Sequence, residues 1–74
     1  MDRLFFPYRT AHGGRNILMA IDRDDAMRFL KSINGDTVFC EVRMTTERQS
    51  DILESPDRVQ IIDRWLEKQP IFVT

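Results

Sequence analysis

The stretch LFFPYRTAHGGRNILMAI, Leu4 to Ile21, decides the fold. In its first part Leu4, Phe6 and Tyr8 alternate with Phe5, Pro7 and Arg9. Successive side chains of a strand point to opposite faces, so this alternation predicts an aromatic-rich β-strand. Pro7 has no backbone N–H, which predicts that the strand lies at a sheet edge or carries a bulge. Asn16–Ile21 is almost wholly apolar, the pattern of a short strand covered on both faces. Between the two lies Thr10–Gly14, with the only adjacent glycines and the only histidine, His12. Glycines supply the positive φ that hairpin connections need, so the segment predicts a β-hairpin. A phosphate-binding loop needs G-x-x-x-x-G-K-[ST] between a strand and a helix. AHGGRN has no lysine and leads into a second strand, and it does not match a dinucleotide fingerprint.

Downstream of the hairpin, Asp22 reads as a helix N-cap, with Asp24 and Asp25 placed where the helix dipole favours negative charge. Ala26, Phe29, Leu30 and Ile33 follow at i, i+3, i+4 and i+7 and predict one buried helix face. Asn34-Gly35 is a C-terminal stop signal. Thr37–Met44 alternates again, with Val38, Cys40, Val42 and Met44 on one side and Thr37, Phe39, Glu41 and Arg43 on the other, a half-exposed strand. Thr45–Ser55 is polar and has only Ile52 and Leu53 to anchor it; we expect a loop with at most one helical turn around Ser50–Leu53. Ser55-Pro56-Asp57 is a helix start, and Val59, Ile62 and Leu66 give it an apolar side, with Ile61 and Trp65 alongside. Val59 and Ile61 also alternate, so a strand over Arg58–Ile62 competes; the helix is preferred. Gln69-Pro70 ends it, and Ile71–Val73 reads as a last short strand. The expected architecture is one small α+β domain, β-β-α-β-(loop)-α-β, with a mostly antiparallel sheet and helices on one face.

A chain of 74 residues leaves little volume for both a core and a deep substrate cleft. One cysteine excludes a disulfide framework, and one histidine with one cysteine is too few N/S ligands for zinc. The Asp22–Asp25 cluster lacks the spacing, glycine and glutamate of an EF-hand loop. His12 and Cys40 are the residues a thiolate–imidazole pair would need, but Cys40 shares a face with three hydrophobes and reads as core. We therefore expect no catalytic residues, no cofactor and no metal. No signal peptide or membrane-length apolar run is visible, and the lone cysteine suits a reducing, cytoplasmic setting.

The net charge is −1, without the basic excess of a dedicated nucleic-acid binder. Arginine outnumbers lysine nine to two, and arginine is enriched at protein interfaces. A GC-rich genome explains the same bias. Residues 1–20 carry Arg3, Arg9 and Arg15 against Asp2, whereas residues 41–60 carry three arginines against five acids. The expected partner surface is accordingly the arginine-rich hairpin, Arg9, His12 and Arg15, joined by Arg3 and Arg43, or the outer sheet face. On this reading Arg9→Glu with Arg15→Glu spares the fold and abolishes binding. Stacking of bases on Phe5, Tyr8 and Phe39 is the alternative, and it requires Arg3, Arg9, Arg15 and Arg43 on one contiguous face.

In length, and in the opening LFFPYRTAHGGRNILMAID, the chain resembles small phage-encoded proteins that seize host machinery, such as regulators of bacterial RNA polymerase. The resemblance implies a larger host protein as partner, RNA polymerase first among them, and a steric effect on transcription. Anti-CRISPR inhibitors share the same style. No functional residue carries over, because no motif aligns residue by residue.

Overall fold

The computed structural model describes residues 1–33 and 37–73. In chain order they form β1 (Arg3–Arg9), β2 (Arg15–Met19), α1 (Arg23–Ile33), β3 (Val38–Phe39), β4 (Val42–Met44), α2 (Thr46–Glu54), α3 (Arg58–Lys68) and β5 (Ile71–Phe72). The strands make one antiparallel sheet in the order β2-β1-β3-β5, with β4 also paired to β1. The chain is thus an α+β domain, as expected. β2 and β3 both run antiparallel to β1, so they are parallel to each other, and α1 connects them across β1.

The connection between β1 and β2 is the hairpin turn. Thr10 N–H donates to Gly14 O and Gly13 N–H to Thr10 O, both at 3.0 Å, and Gly14 N–H donates to Thr10 Oγ1 at 3.1 Å. Gly13 has φ 85°, and a Cβ at Gly14 would come 3.2 Å from Thr10 Oγ1. Gly13→Ala should cost about 1 kcal/mol through its left-handed backbone, a shift readable in a urea melt.

Pro7 departs from expectation. β1 is the central strand, with an unbroken register against β2 (Phe5↔Met19 through Arg9↔Arg15). The missing donor acts on the other side. Cys40 N–H donates to Pro7 O at 3.0 Å, but Pro7 has no N–H to return. The ladder is interrupted there, and the expected single strand Thr37–Met44 becomes β3 and β4 in one continuous register.

The helices cover both sheet faces, not one. Phe5 and Phe6 are neighbours in β1 and so point to opposite faces, yet both are buried to within 1 %. On the Phe5 face lie Ile17, Val38, Cys40 and Met44, packed under Ile52 of α2 and Ile62 and Leu66 of α3. On the Phe6 face lie Phe39 and Val73, packed under Ala26 and Leu30 of α1. Phe39, expected on a polar side, is fully buried, and its ring centroid is 6.1 Å from that of Phe6.

Asp22 caps α1 as expected, its Oδ1 accepting from Asp25 N–H at 2.8 Å. The buried stripe of α1 is Ala26 and Leu30 only; Phe29 and Ile33 are 47 % and 51 % exposed. The stop signal Asn34-Gly35 lies outside the described residues. Thr46–Glu54, expected to be mostly loop, is the helix α2. Thr45 Oγ1 accepts from Arg48 N–H at 3.1 Å, and Ile52 anchors the helix in the core. Arg58–Lys68 is helical, as preferred, with Ile62 and Leu66 buried and Val59 exposed, but Ser55-Pro56-Asp57 is not its first turn: Ser55 ends α2, its Oγ accepts from Asp57 N–H at 3.0 Å, and the helix begins only after Asp57. Among the described residues, no helix is long and apolar enough to cross a membrane.

Candidate functional site

The five expected partner residues fall at the two ends of β1. Arg9, His12 and Arg15 belong to the hairpin end; Arg3 and Arg43 belong to the other, where Leu4 faces Arg43 and Arg3 faces Met44 across the β1–β4 ladder. Six residues of extended chain separate Arg3 from Arg9, about 20 Å. The contiguous arginine face that base stacking requires is therefore absent, and two of the aromatics invoked for it, Phe5 and Phe39, are fully buried.

At the hairpin end, Arg15 is committed to the fold. Its Nε and Nη2 each donate to Asp63 of α3, to Oδ1 and Oδ2, at 2.9 Å. This is a bidentate guanidinium–carboxylate pair, the strongest geometry such groups adopt. Arg15 Nη1 also donates to Gly13 O. Arg9 Nη1 joins at 3.8 Å from Asp63 Oδ1. Arg15 keeps only 17 % of its side chain exposed, against 44 % for Arg9. The expectation that Arg15→Glu spares the fold is corrected by this geometry. His12 remains exposed at the tip, and Phe72 of β5, 66 % exposed, stands with Arg9 between two shallow clefts.

The outer edge of β2 is occupied as well. Residues 15 and 17 turn their outward backbone groups away from β1. Arg58 of α3 donates through Nε to Arg15 O at 3.0 Å and through Nη2 to the same oxygen, while Gln49 of α2 reaches Ile17 O at 3.3 Å. Asn16 Oδ1 accepts from Ile17 N–H at 2.8 Å. Side chains thus satisfy the backbone groups that would otherwise recruit another strand. With both sheet faces under helices, the outer sheet face expected as a docking alternative is not available either.

The opposite end is open. Arg3, Leu4, Met19, Ile21 and Arg43 line a shallow groove of about 530 Å³, together with Asp25 of the first turn of α1. Met19 is 55 % and Ile21 85 % exposed, so large apolar side chains face water directly beside two arginines. The sequence offered one signal for this: the apolar run of β2 continues to Ile21, beyond where the sheet ends at Met19. Asp63 gave none, because a single acid on an amphipathic helix reads as solvated surface.

Cys40 and His12 do not meet. Cys40 is fully buried against the Phe5 cluster, and His12 is at the exposed tip. Burial pushes the Cys40 thiol up to about 11, away from the thiolate a nucleophile needs. We expect Cys40 to ignore Ellman's reagent at about pH 8 in the folded protein and to react fully in denaturing guanidinium. Because the folded state favours the neutral thiol, its stabilisation is complete below about pH 9 and is lost as pH rises toward 11. Among the described residues, no three acids, cysteines or histidines converge as metal ligands. No family model, no curated protein and no solved structure matches the chain.

Proposed function

We propose that this protein is a non-catalytic interaction protein that docks onto a larger protein and acts by occupying its surface. The docking site in this reading is the groove between Arg3, Met19, Ile21 and Arg43, not the hairpin. The observation that carries it is the exposure of Met19 and Ile21 together at one groove. Apolar side chains scattered singly on a surface are ordinary, but two gathered with arginines in a concave site are what a partner buries. Methionine also adapts its shape to varied apolar partners. The phage-regulator style of the chain makes bacterial RNA polymerase the first partner to test, with a steric effect on transcription as the outcome.

The test is a binding titration of the immobilised protein against purified bacterial RNA polymerase, beside a pull-down from nuclease-treated lysate. Wild type should retain one stoichiometric protein partner, and Met19→Ser with Ile21→Ser should weaken it about tenfold or more. Both positions are exposed, so an unchanged thermal melt is expected for the double variant. No retained protein together with nucleic acid held from a parallel untreated lysate, or binding indifferent to both serines, rejects the reading.

A further inference from the structure

The arginines at the groove identify what it takes. We infer that it holds a short segment of a partner protein in which a large apolar anchor sits next to one or two carboxylates. This inference rests on the docking reading above and adds the chemistry of the bound segment.

Most arginines of this chain already have partners. Arg9 and Arg15 meet Asp63, Arg23 meets Glu41 at 3.6 Å, Arg28 meets Asp25 at 3.5 Å, and Arg58 holds backbone carbonyls. Among the described residues, Arg3 and Arg43 have no carboxylate within reach. Arg48 and Arg64 are also without one, but they do not line this groove. Arg43 faces Leu4 across the ladder and Arg3 is the next residue along β1, so the two leave the sheet on opposite faces. Both nevertheless line the same groove, so they bracket its mouth from two sides. A guanidinium in that setting selects a carboxylate, which it can bind through two parallel N–H donors.

The apolar lining and Asp25 refine the choice. Leu4, Met19 and Ile21 supply an apolar seat that an inorganic anion or a phosphate chain would not use. Asp25 also lines the groove, with Asp24 beside it in the first turn of α1 and Asp22 at the helix cap. A continuous polyanion lying in the groove would meet these acids as well as the arginines and be repelled. A peptide avoids this by setting its acids against the two arginines, its apolar anchor over Met19 and Ile21, and a neutral or basic residue against Asp25.

A displayed library of random dodecapeptides, selected against the whole protein, tests this directly. Enriched sequences should combine a large aliphatic or aromatic residue with neighbouring Asp or Glu. Titrating one such peptide into the ¹⁵N-labelled protein should shift the amides of Leu4, Met19–Ile21 and Arg43 and leave the hairpin unmoved. Arg3→Glu with Arg43→Glu should weaken that peptide about tenfold or more. A peptide with its acids changed to lysine should bind the double variant better than the wild type. Enrichment of basic or purely apolar peptides, shifts at the hairpin, or no enrichment at all overturns the inference. If that happens while the Met19→Ser, Ile21→Ser variant still loses its protein partner, only the segment chemistry is wrong. Partner binding indifferent to those serines removes the docking reading itself.

Discussion

Phe6→Ala should cost about 3–5 kcal/mol, while Phe29→Ala costs less than about 1 kcal/mol. From its i, i+3, i+4, i+7 spacing Phe29 reads as core, and on that reading Phe29→Ala costs about 3–5 kcal/mol; Phe6 lies in the alternating strand pattern of β1. The structure separates them. Phe6 is fully buried between the sheet and α1, and its ring meets Phe39 in a tilted contact that adds to the loss. Phe29 keeps about half its surface in water, so truncation opens no cavity. A domain of this length has a total stability of order 5–10 kcal/mol, so Phe6→Ala brings it close to unfolding at room temperature. Urea melts followed by Trp65 fluorescence distinguish the two. Equal losses would mean that α1 packs on the Phe29 stripe and that the Phe6 layer is assigned wrongly.

Arg15→Glu should destabilise the domain by about 3 kcal/mol or more, whereas Arg9→Glu costs about 1 kcal/mol or less. At position 15 the substitution removes two 2.9 Å bonds to Asp63 and the bond to Gly13 O. It also sets a new carboxylate against Asp63 in a site that is mostly shielded from solvent. Arg9 is more exposed and 0.9 Å further from its acid, since 3.8 Å replaces 2.9 Å, so solvent screens most of its attraction. Replacing both partners, Arg15→Met with Asp63→Leu, should recover much of the loss, because the penalty comes from stranding one charge. A double-mutant cycle on thermal melts measures this coupling. A coupling near zero would show that the hairpin is held to α3 by packing alone. Binding experiments on the hairpin must therefore use Arg9 or His12 rather than Arg15, or loss of fold will be mistaken for loss of contact.

Local chemistry carried most of the elements in the sequence. The Asp22 cap, the Thr10–Gly14 turn and the alternation of β1 each depend on residues within a few positions of one another. Their physics is complete in a short window of chain. The reading of Asn16–Ile21 as a strand covered on both sides holds only at its middle: Ile17 and Leu18 pack into opposite layers, while Asn16, Met19 and Ile21 face water. The helix α2 was missed because Ile52 and Leu53 are its only anchors; the Thr45 cap and one buried isoleucine complete it only once β2 lies beneath.

What tertiary structure alone decided was which equivalent residue is used for what. Phe6 and Phe29, Arg15 and Arg9, and Arg43 and Arg15 are the same by residue type. Their fates diverge because burial and ion pairing depend on elements tens of residues away: Asp63 is 48 positions from Arg15. Pro7 shows the same division. Its missing donor is written in the residue, but that it splits β3 from β4 instead of forcing β1 to an edge depended on which neighbour faced that gap. The free arginines at the groove were therefore identifiable only after the sheet had assembled and the other end's charges had found their partners.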